Sequence, residues 1–343
     1  MNLLRHWATM AEAYLAYRRG REPGYWPFRI WVEPSSVCQL RCVMCPNRDL
    51  PSGMLGHMPM ERFRAVIDEC RGFAYDVNLT HRGEPLLNPE IVDMVAYAAR
   101  SGPKIRLHTN AMTLSRERSR DLIRAGLHLM SFSIDGFTER TYRQIRIGGS
   151  WDRVMGNIRA FLEEKAAAGS RRPYTIVQVI DVPEFETAPE ERRQFIAGFR
   201  GLPVDEIYVK KPSNWAGSYS VHQYADTPCA PCTFPWYALT VCWDGLIVPC
   251  PQDFFCRIPL GRVEESGLRG AWRSAPMRAL RSAMAARRFA GLDPCEACDR
   301  LRRPRSAGLP ATNVAVFLVE NLLGYTRWKT RLFAREDGTV STK

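Results

Sequence analysis

Six short β-rich apolar runs, separated by helical patterns, constrain this chain more than any other feature. The runs are 28–33, 75–80, 104–109, 129–134, 174–181 and 205–211, with amphipathic stretches at 60–71, 89–100, 115–125, 151–168 and 189–199 between them. A strand that returns parallel to its predecessor needs a long crossover, usually a helix, so this alternation predicts an α/β fold with a parallel sheet and right-handed crossovers. Six units suit a partial barrel or a doubly wound sheet. In both, ligands collect at the carboxyl ends of the strands, so the turns after each run are where chemistry is sought. Ahead of the first run, 2–19 reads as an amphipathic helix broken by Pro23, Gly24 and Pro27. His6, Glu12, Arg18 and Arg19 interrupt its apolar residues, which excludes a cleavable signal core.

Directly after the first run comes Cys38-Gln-Leu-Arg-Cys42-Val-Met-Cys45. A structural zinc site would want a fourth nearby partner, and the next cysteine, Cys70, falls in a helical pattern where a small core residue is expected. Three thiolates instead suit an iron–sulfur cluster with one iron left open. The spacing, opening a loop after a strand, resembles the CxxxCxxC signature of radical S-adenosylmethionine (SAM) enzymes. That resemblance implies a partial (βα)6 TIM-like barrel and a [4Fe–4S] cluster held by Cys38, Cys42 and Cys45. It further implies SAM chelated at the open iron and cleaved reductively to a 5′-deoxyadenosyl radical.

The same resemblance implies SAM contacts at further positions. Met44 stands where the family places a residue near the adenine. Arg82-Gly83-Glu84-Pro85 is similar to the GGEP stretch that meets the SAM amino group, with Arg82 in place of the first glycine. Asn110, in His108-Thr109-Asn110-Ala111, matches the TNG turn. Ser133, in Ser131-Phe-Ser133-Ile-Asp135-Gly136, matches the SxDG serine, and Arg146 matches the arginine that pairs with the SAM carboxylate. Each has an ordinary reading as a turn former or an ion pair. Their order and their placement after successive strands carry the claim together.

Beyond the sixth run, 212–228 reads as a loop, and a second cysteine set follows: Cys229, Cys232, Cys242, Cys250, Cys256, Cys295 and Cys298. Cys232, Gly245, Cys250 and the pair Cys295/Cys298, with an Asp244-Gly245 hairpin turn, resemble the SPASM/Twitch extension of radical SAM enzymes. With no cysteine after Cys298, the shorter Twitch type is implied, with one auxiliary [4Fe–4S] cluster on Cys232, Cys250, Cys295 and Cys298. A zinc knuckle joining Cys229/Cys232 to Cys295/Cys298 competes with this reading. Cys229 and Cys256 are candidate hydrogen-atom donors to a substrate radical. The expected organisation is an N-terminal helical segment (1–27), the barrel (28–212), the auxiliary-cluster domain (213–300) and a basic tail (301–343) with a helix near 313–323.

The resemblance to SPASM/Twitch enzymes, among them 2-deoxy-scyllo-inosamine dehydrogenases and aminoglycoside epimerases, implies an oxidoreductase or epimerase. Its substrate would be an amino-sugar or cyclitol, and its electrons would come from a flavodoxin or ferredoxin. Peptide maturation is the alternative; the segment before the first run is shorter than a leader-recognition module. A non-enzymatic iron–sulfur or zinc protein is the reading from another class. The net charge of +12 is spread over Arg-rich helical stretches and comes with no nucleic-acid motif, so no nucleic-acid partner is expected. Eleven cysteines without a secretory signal fit metal ligation in a reducing cytoplasm better than disulfides. The longest apolar run, 314–319, is too short to span a bilayer.

Overall fold

The computed structural model describes residues 3–219 and 227–310, apart from 183, 186, 304, 307 and 308; the helix expected near 313–323 lies outside the described residues. In chain order the elements begin with α1 (Leu3–Arg19), β1 (Arg29–Val32), α2 (Met60–Cys70), β2 (Asp76–Leu79), α3 (Ile91–Arg100) and β3 (Lys104–Thr109). They continue with α4 (Arg116–Arg124), β4 (Leu129–Ser133), α5 (Glu139–Ile145), α6 (Trp151–Ala167), β5 (Tyr174–Ile180), α7 (Pro189–Ala197) and β6 (Glu206–Lys210). The C-terminal part adds β7 (Ala238–Val241), β8 (Leu246–Val248), β9 (Gly261–Arg262), α8 (Val263–Trp272), α9 (Ala275–Ala285) and a small pair, β10 (Arg305–Ser306) with β11 (Leu309–Pro310).

The main sheet runs β6-β5-β4-β3-β2-β1-β7-β8-β9, parallel from β6 through β7 and antiparallel thereafter. Strands β1 to β6 therefore lie in sequence order without a reversal. A doubly wound sheet reverses direction at a switch point, so this order selects the partial-barrel reading. Every predicted strand forms within its run. Helix α5 was not expected: seven residues with a Thr138/Thr141 capping box share the β4–β5 crossover with α6.

Side-chain parity divides the sheet into two faces. Ile30, Val32, Val77, Leu79, Ile105, Leu107, Met130, Phe132, Val177 and Val179 are fully buried and join one apolar core with Phe63, Ile67, Val95, Leu122, Ile158 and Phe161 of the helices. Each contributes about 1.5–3 kcal/mol of hydrophobic burial. The opposite parity, Trp31, Asn78, His108, Ser131, Gln178 and Tyr208, shares rows by register on the inner face. That face is polar, as a cavity for a polar ligand would be.

Helix α1 closes the amino end of the strands. His6 stacks on Tyr75, just ahead of β2, with ring centroids 3.6 Å apart. It also ties down the C-terminal part, since Tyr17 Oη donates to the Pro231 carbonyl at 3.0 Å. Strand β7 is paired to β1 over all four residues, Arg29–Val32 against Ala238–Val241, so the barrel sheet and the C-terminal hairpin are one sheet. The Asp244-Gly245 turn between β7 and β8 forms as expected, with Gly245 at φ +89°, a conformation that glycine adopts without a steric cost. Among the described residues, no helix is long and apolar enough to cross a membrane.

Candidate active site

The carboxyl ends of β1 to β5 hold most of the residues singled out from the sequence. The loop after β1 bends over the turn after β2, where a Cβ on Gly83 would fall 2.4 Å from the Ser36 carbonyl carbon and 2.5 Å from the Ser35 oxygen. No side chain fits there. Glycine at 83 is thus required by the backbone that leads into the cysteine loop. The Glu84 amide donates to the Val37 carbonyl at 2.9 Å, and Asn47 Nδ2 donates to the Ser36 and Arg82 carbonyls. These bonds fix the entry to Cys38.

Glu84 is buried and accepts three hydrogen bonds, from Thr109 Oγ1 at 2.7 Å, the Asn110 amide at 2.8 Å and the Leu86 amide at 3.0 Å. Its carboxylate locks the turn after β2 to the turn after β3. Burial pushes its pKa up, although these donors oppose the shift. Asn110 carries the link onward: its Oδ1 accepts from Gln39 Nε2 at 3.1 Å, and its Nδ2 stands 3.9 Å from Cys38 Sγ. Glu84 and Asn110 therefore brace the cysteine loop.

Burial pushes the Cys38 thiol up to about 11 and the Cys45 thiol up to about 12, and raises Cys42 likewise; Arg146 opposes each shift. Metal ligation needs thiolates, so three thiols on one loop, Cys42 buried and Cys38 and Cys45 partly buried, are a donor set that a cationic iron centre would deprotonate. Met44 is buried beside them in a small apolar cluster with Leu40, Cys42, Ile145 and Val182. Arg146, which caps α5, bonds the Asp135 carboxylate, whose other oxygen accepts from the Ile180 amide at 3.1 Å. Arg146 Nε is buried without a partner among the described residues. A buried, unpaired N–H beside a thiol triplet fits a site for a carboxylate. Ser133 ends β4 on the inner face, in register with Gln178.

Arg82, which replaces the family's first glycine, has a partner of its own. Its Nε and Nη2 bond Glu33 at 2.8 and 2.6 Å, both side chains being almost fully buried. Burial alone would raise the Glu33 carboxyl, but the bonded Arg82 guanidinium holds it below the usual carboxylate range.

In the C-terminal part, Cys232, Cys250, Cys295 and Cys298 line a single pocket, partly open to solvent. Burial raises Cys250, Cys295 and Cys298, the last to about 12, and each feels the charge of Cys232. Cys229 is not among the lining residues. Among the described residues, no three His, Cys, Asp or Glu side chains converge on the position of one metal ion. A four-iron cluster takes each thiolate on a different iron, which suits four thiols spread around one pocket. The pocket fits a cluster on the second set. The two candidate hydrogen donors part company here: Cys229 packs at the edge of the apolar core, while Cys256 lies against Cys242 and Arg82.

Comparison with known proteins agrees with this geometry. Residues 32–170 match the radical SAM superfamily and residues 232–299 match the SPASM iron–sulfur cluster-binding domain. The chain belongs to the radical SAM superfamily, with the SPASM/Twitch type of C-terminal extension. These domains imply a SAM-binding [4Fe–4S] cluster and auxiliary iron–sulfur binding. Among curated relatives, the Fe-coproporphyrin III synthase of Methanosarcina barkeri is 27% identical over 167 residues, 48% of this chain and 42% of that protein. The chain spans half or less of the length of the curated relatives it matches. Among solved structures, BtrN in complex with AdoMet and 2-DOIA aligns with TM-score 0.55 and 17% identity, covering 81% of this chain and 94% of BtrN. Streptococcus suis SuiB bound to its precursor peptide SuiA aligns with TM-score 0.64 and 13% identity, covering 88% of this chain and 76% of SuiB. At these identities the likeness is one of fold.

Proposed function

We propose that this radical SAM enzyme abstracts a hydrogen atom from a small polar substrate of the amino-sugar or cyclitol type and oxidises an alcohol carbon to a carbonyl, with Cys38, Cys42 and Cys45 holding the SAM-binding cluster. The observation that carries the reading is the pocket of Cys232, Cys250, Cys295 and Cys298, four thiols for one auxiliary cluster. When bound, the cluster and SAM supply a carbon-centred radical able to remove a hydrogen atom from an unactivated carbon. The chain's own part is positioning. Arg146 offers its unpaired Nε to the SAM carboxylate, Ser133 offers a hydroxyl from the end of β4, and Met44 supplies an apolar surface for the adenine. Gly83, Glu84 and Asn110 hold the cysteine loop against the ends of β2 and β3. The four-thiol pocket would hold the centre that accepts the second electron, which favours loss of two hydrogens over inversion. A flavodoxin or ferredoxin would supply the first electron.

Support for a small substrate comes from the likeness to BtrN, solved with 2-DOIA, over nearly the whole of that chain. The likeness to SuiB, solved with a precursor peptide, favours peptide modification as the second reading. Anaerobically reconstituted, reduced enzyme should release 5′-deoxyadenosine, with turnover rising on addition of aminocyclitols and the product two hydrogens lighter. Stimulation by peptides alone would move the assignment to the second reading, and no SAM cleavage under any condition would remove both.

A further inference from the structure

We propose that Cys242 and Cys256 form a redox-active dithiol site, oxidised to an intramolecular disulfide by small disulfides of the glutathione type. The site is independent of the substrate reading above. Neither cysteine lines the four-thiol pocket. Their sulfurs lie 3.5 Å apart, already in contact. Cys242 follows β7 on the parity of Ala238 and Thr240, at the same end of the sheet as Glu33, whose amide bonds the Val241 carbonyl.

The two thiols are unlike, and the difference assigns their roles. Cys242 is fully buried, whereas Cys256 is half-buried, so a small disulfide reaches Cys256. Arg82 Nη1 stands 3.5 Å from Cys256 Sγ, and Glu33 fixes that guanidinium by two hydrogen bonds. Cys256 is thus the reachable thiol of the pair, held beside a fixed guanidinium, and it is the one that meets an incoming disulfide. The hydrogen bond with Cys256, together with burial, pushes the Cys242 thiol up, so it stands as the protonated partner. Cys256 also sits at φ +56°, a left-handed conformation uncommon for a residue with a Cβ. Its surroundings hold it there: its amide bonds the Asp253 carbonyl, and its sulfur lies between Arg82 and Cys242.

The exchange balances in two steps. The Cys256 thiolate attacks one sulfur of the small disulfide, forming a mixed disulfide and releasing one small thiolate. Cys242 then gives up its proton and displaces the second small thiolate, closing the Cys242–Cys256 bond. The protein dithiol loses two electrons and two protons, and the small disulfide becomes two thiols. The sulfurs must close from 3.5 Å to about 2.05 Å. While the bond is closed, Cys256 has no hydrogen to give.

The test uses reconstituted holoenzyme kept anaerobic. After incubation with oxidised glutathione, the protein is quenched in acid, alkylated and cleaved at Asp244 and Asp253, which separate the two cysteines. Mass spectrometry should find the Cys242 and Cys256 peptides joined, with two fewer alkylated thiols, unchanged iron content before the quench and full reversal by dithiothreitol. In Cys242→Ser holoenzyme the same treatment should stop at a glutathione adduct on Cys256. The proposal is overturned if both wild-type thiols remain alkylatable, or if the only disulfides formed join pocket cysteines as iron is lost.

Discussion

Replacing Arg82 by Met would leave the Glu33 carboxylate without its main partner in a site that is 0% exposed. Breaking a buried pair by removing one member costs about 3–5 kcal/mol, because the remaining charge stays desolvated. Glu33 retains two backbone donors, the Arg82 amide at 3.1 Å and the Trp243 amide at 3.0 Å, which places the expected loss near the lower end, about 3 kcal/mol. For a chain of this size that is a fall in melting temperature of roughly 5 °C. The sign of its pH dependence follows from linkage. In the wild type the Glu33 pKa is depressed, so its contribution is full above the unfolded carboxylate value and fades as pH falls through the folded one. In the variant, burial without the guanidinium raises the pKa, and protonation relieves the penalty. The gap between variant and wild type should therefore be wider at about pH 8.5 than at about pH 6.5. Circular dichroism melts of anaerobic holoprotein at both values, with Glu33→Gln/Arg82→Met recovering part of the loss, measure this. A variant that melts with the wild type, or a gap that does not change with pH, would refute the reasoning.

The metal and cofactor sites give sharper readouts. Reconstituted protein should carry about eight irons per chain, four per cluster, and Cys38/Cys42/Cys45→Ala should lose about half of them together with all SAM cleavage; zinc in place of iron at the second set would remove the auxiliary cluster. Arg146→Ala should weaken SAM binding roughly ten- to a hundredfold, as expected for a lost charge-assisted contact of about 1.5–3 kcal/mol; equilibrium dialysis showing unchanged affinity would take Arg146 out of the site. Gly83→Ala must displace the Ser35–Val37 backbone, so iron bound at the first site should fall while the second is kept, a result that site-resolved Mössbauer spectra can separate.

Local signals were legible and distant pairings were not. The strands announced themselves because apolar runs of strand length alternate with helical periods, and the cysteine triplet because its spacing lies within one loop. Gly83 and Glu84 stand in a stretch whose resemblance implies ligand contacts, and that implication carries no sign of their structural part. The structure gives each a bracing task whose partners, Ser35–Val37 and Thr109–Asn110, come from the ends of other strands. Arg82 looked like a defect in a glycine motif because Glu33 lies far from it in sequence, and nothing in either residue's neighbourhood marks the other. Helix α5 escaped notice because seven residues are too few to display a period. Cys250, which the SPASM/Twitch spacing singles out over Cys229, lines the pocket with Cys232, Cys295 and Cys298, and Cys229 does not.

The pairing of β7 with β1 sets a distance. The loop carrying Cys38, Cys42 and Cys45 leaves the end of β1, while Cys232 precedes β7 and Cys250 follows β8, the next strand along. The first set thus leaves the carboxyl end of the β1–β7 pair, whereas Cys232 and Cys250 lie towards its amino end, because β7 runs parallel to β1 and β8 runs back antiparallel; the four paired residues between them rise about 3.3 Å each. Two redox centres joined by a linker would exchange electrons at a rate that follows the swing of the domains. Here the gap for electron tunnelling is built into backbone hydrogen bonds and can widen only if the Arg29–Val32 rungs break.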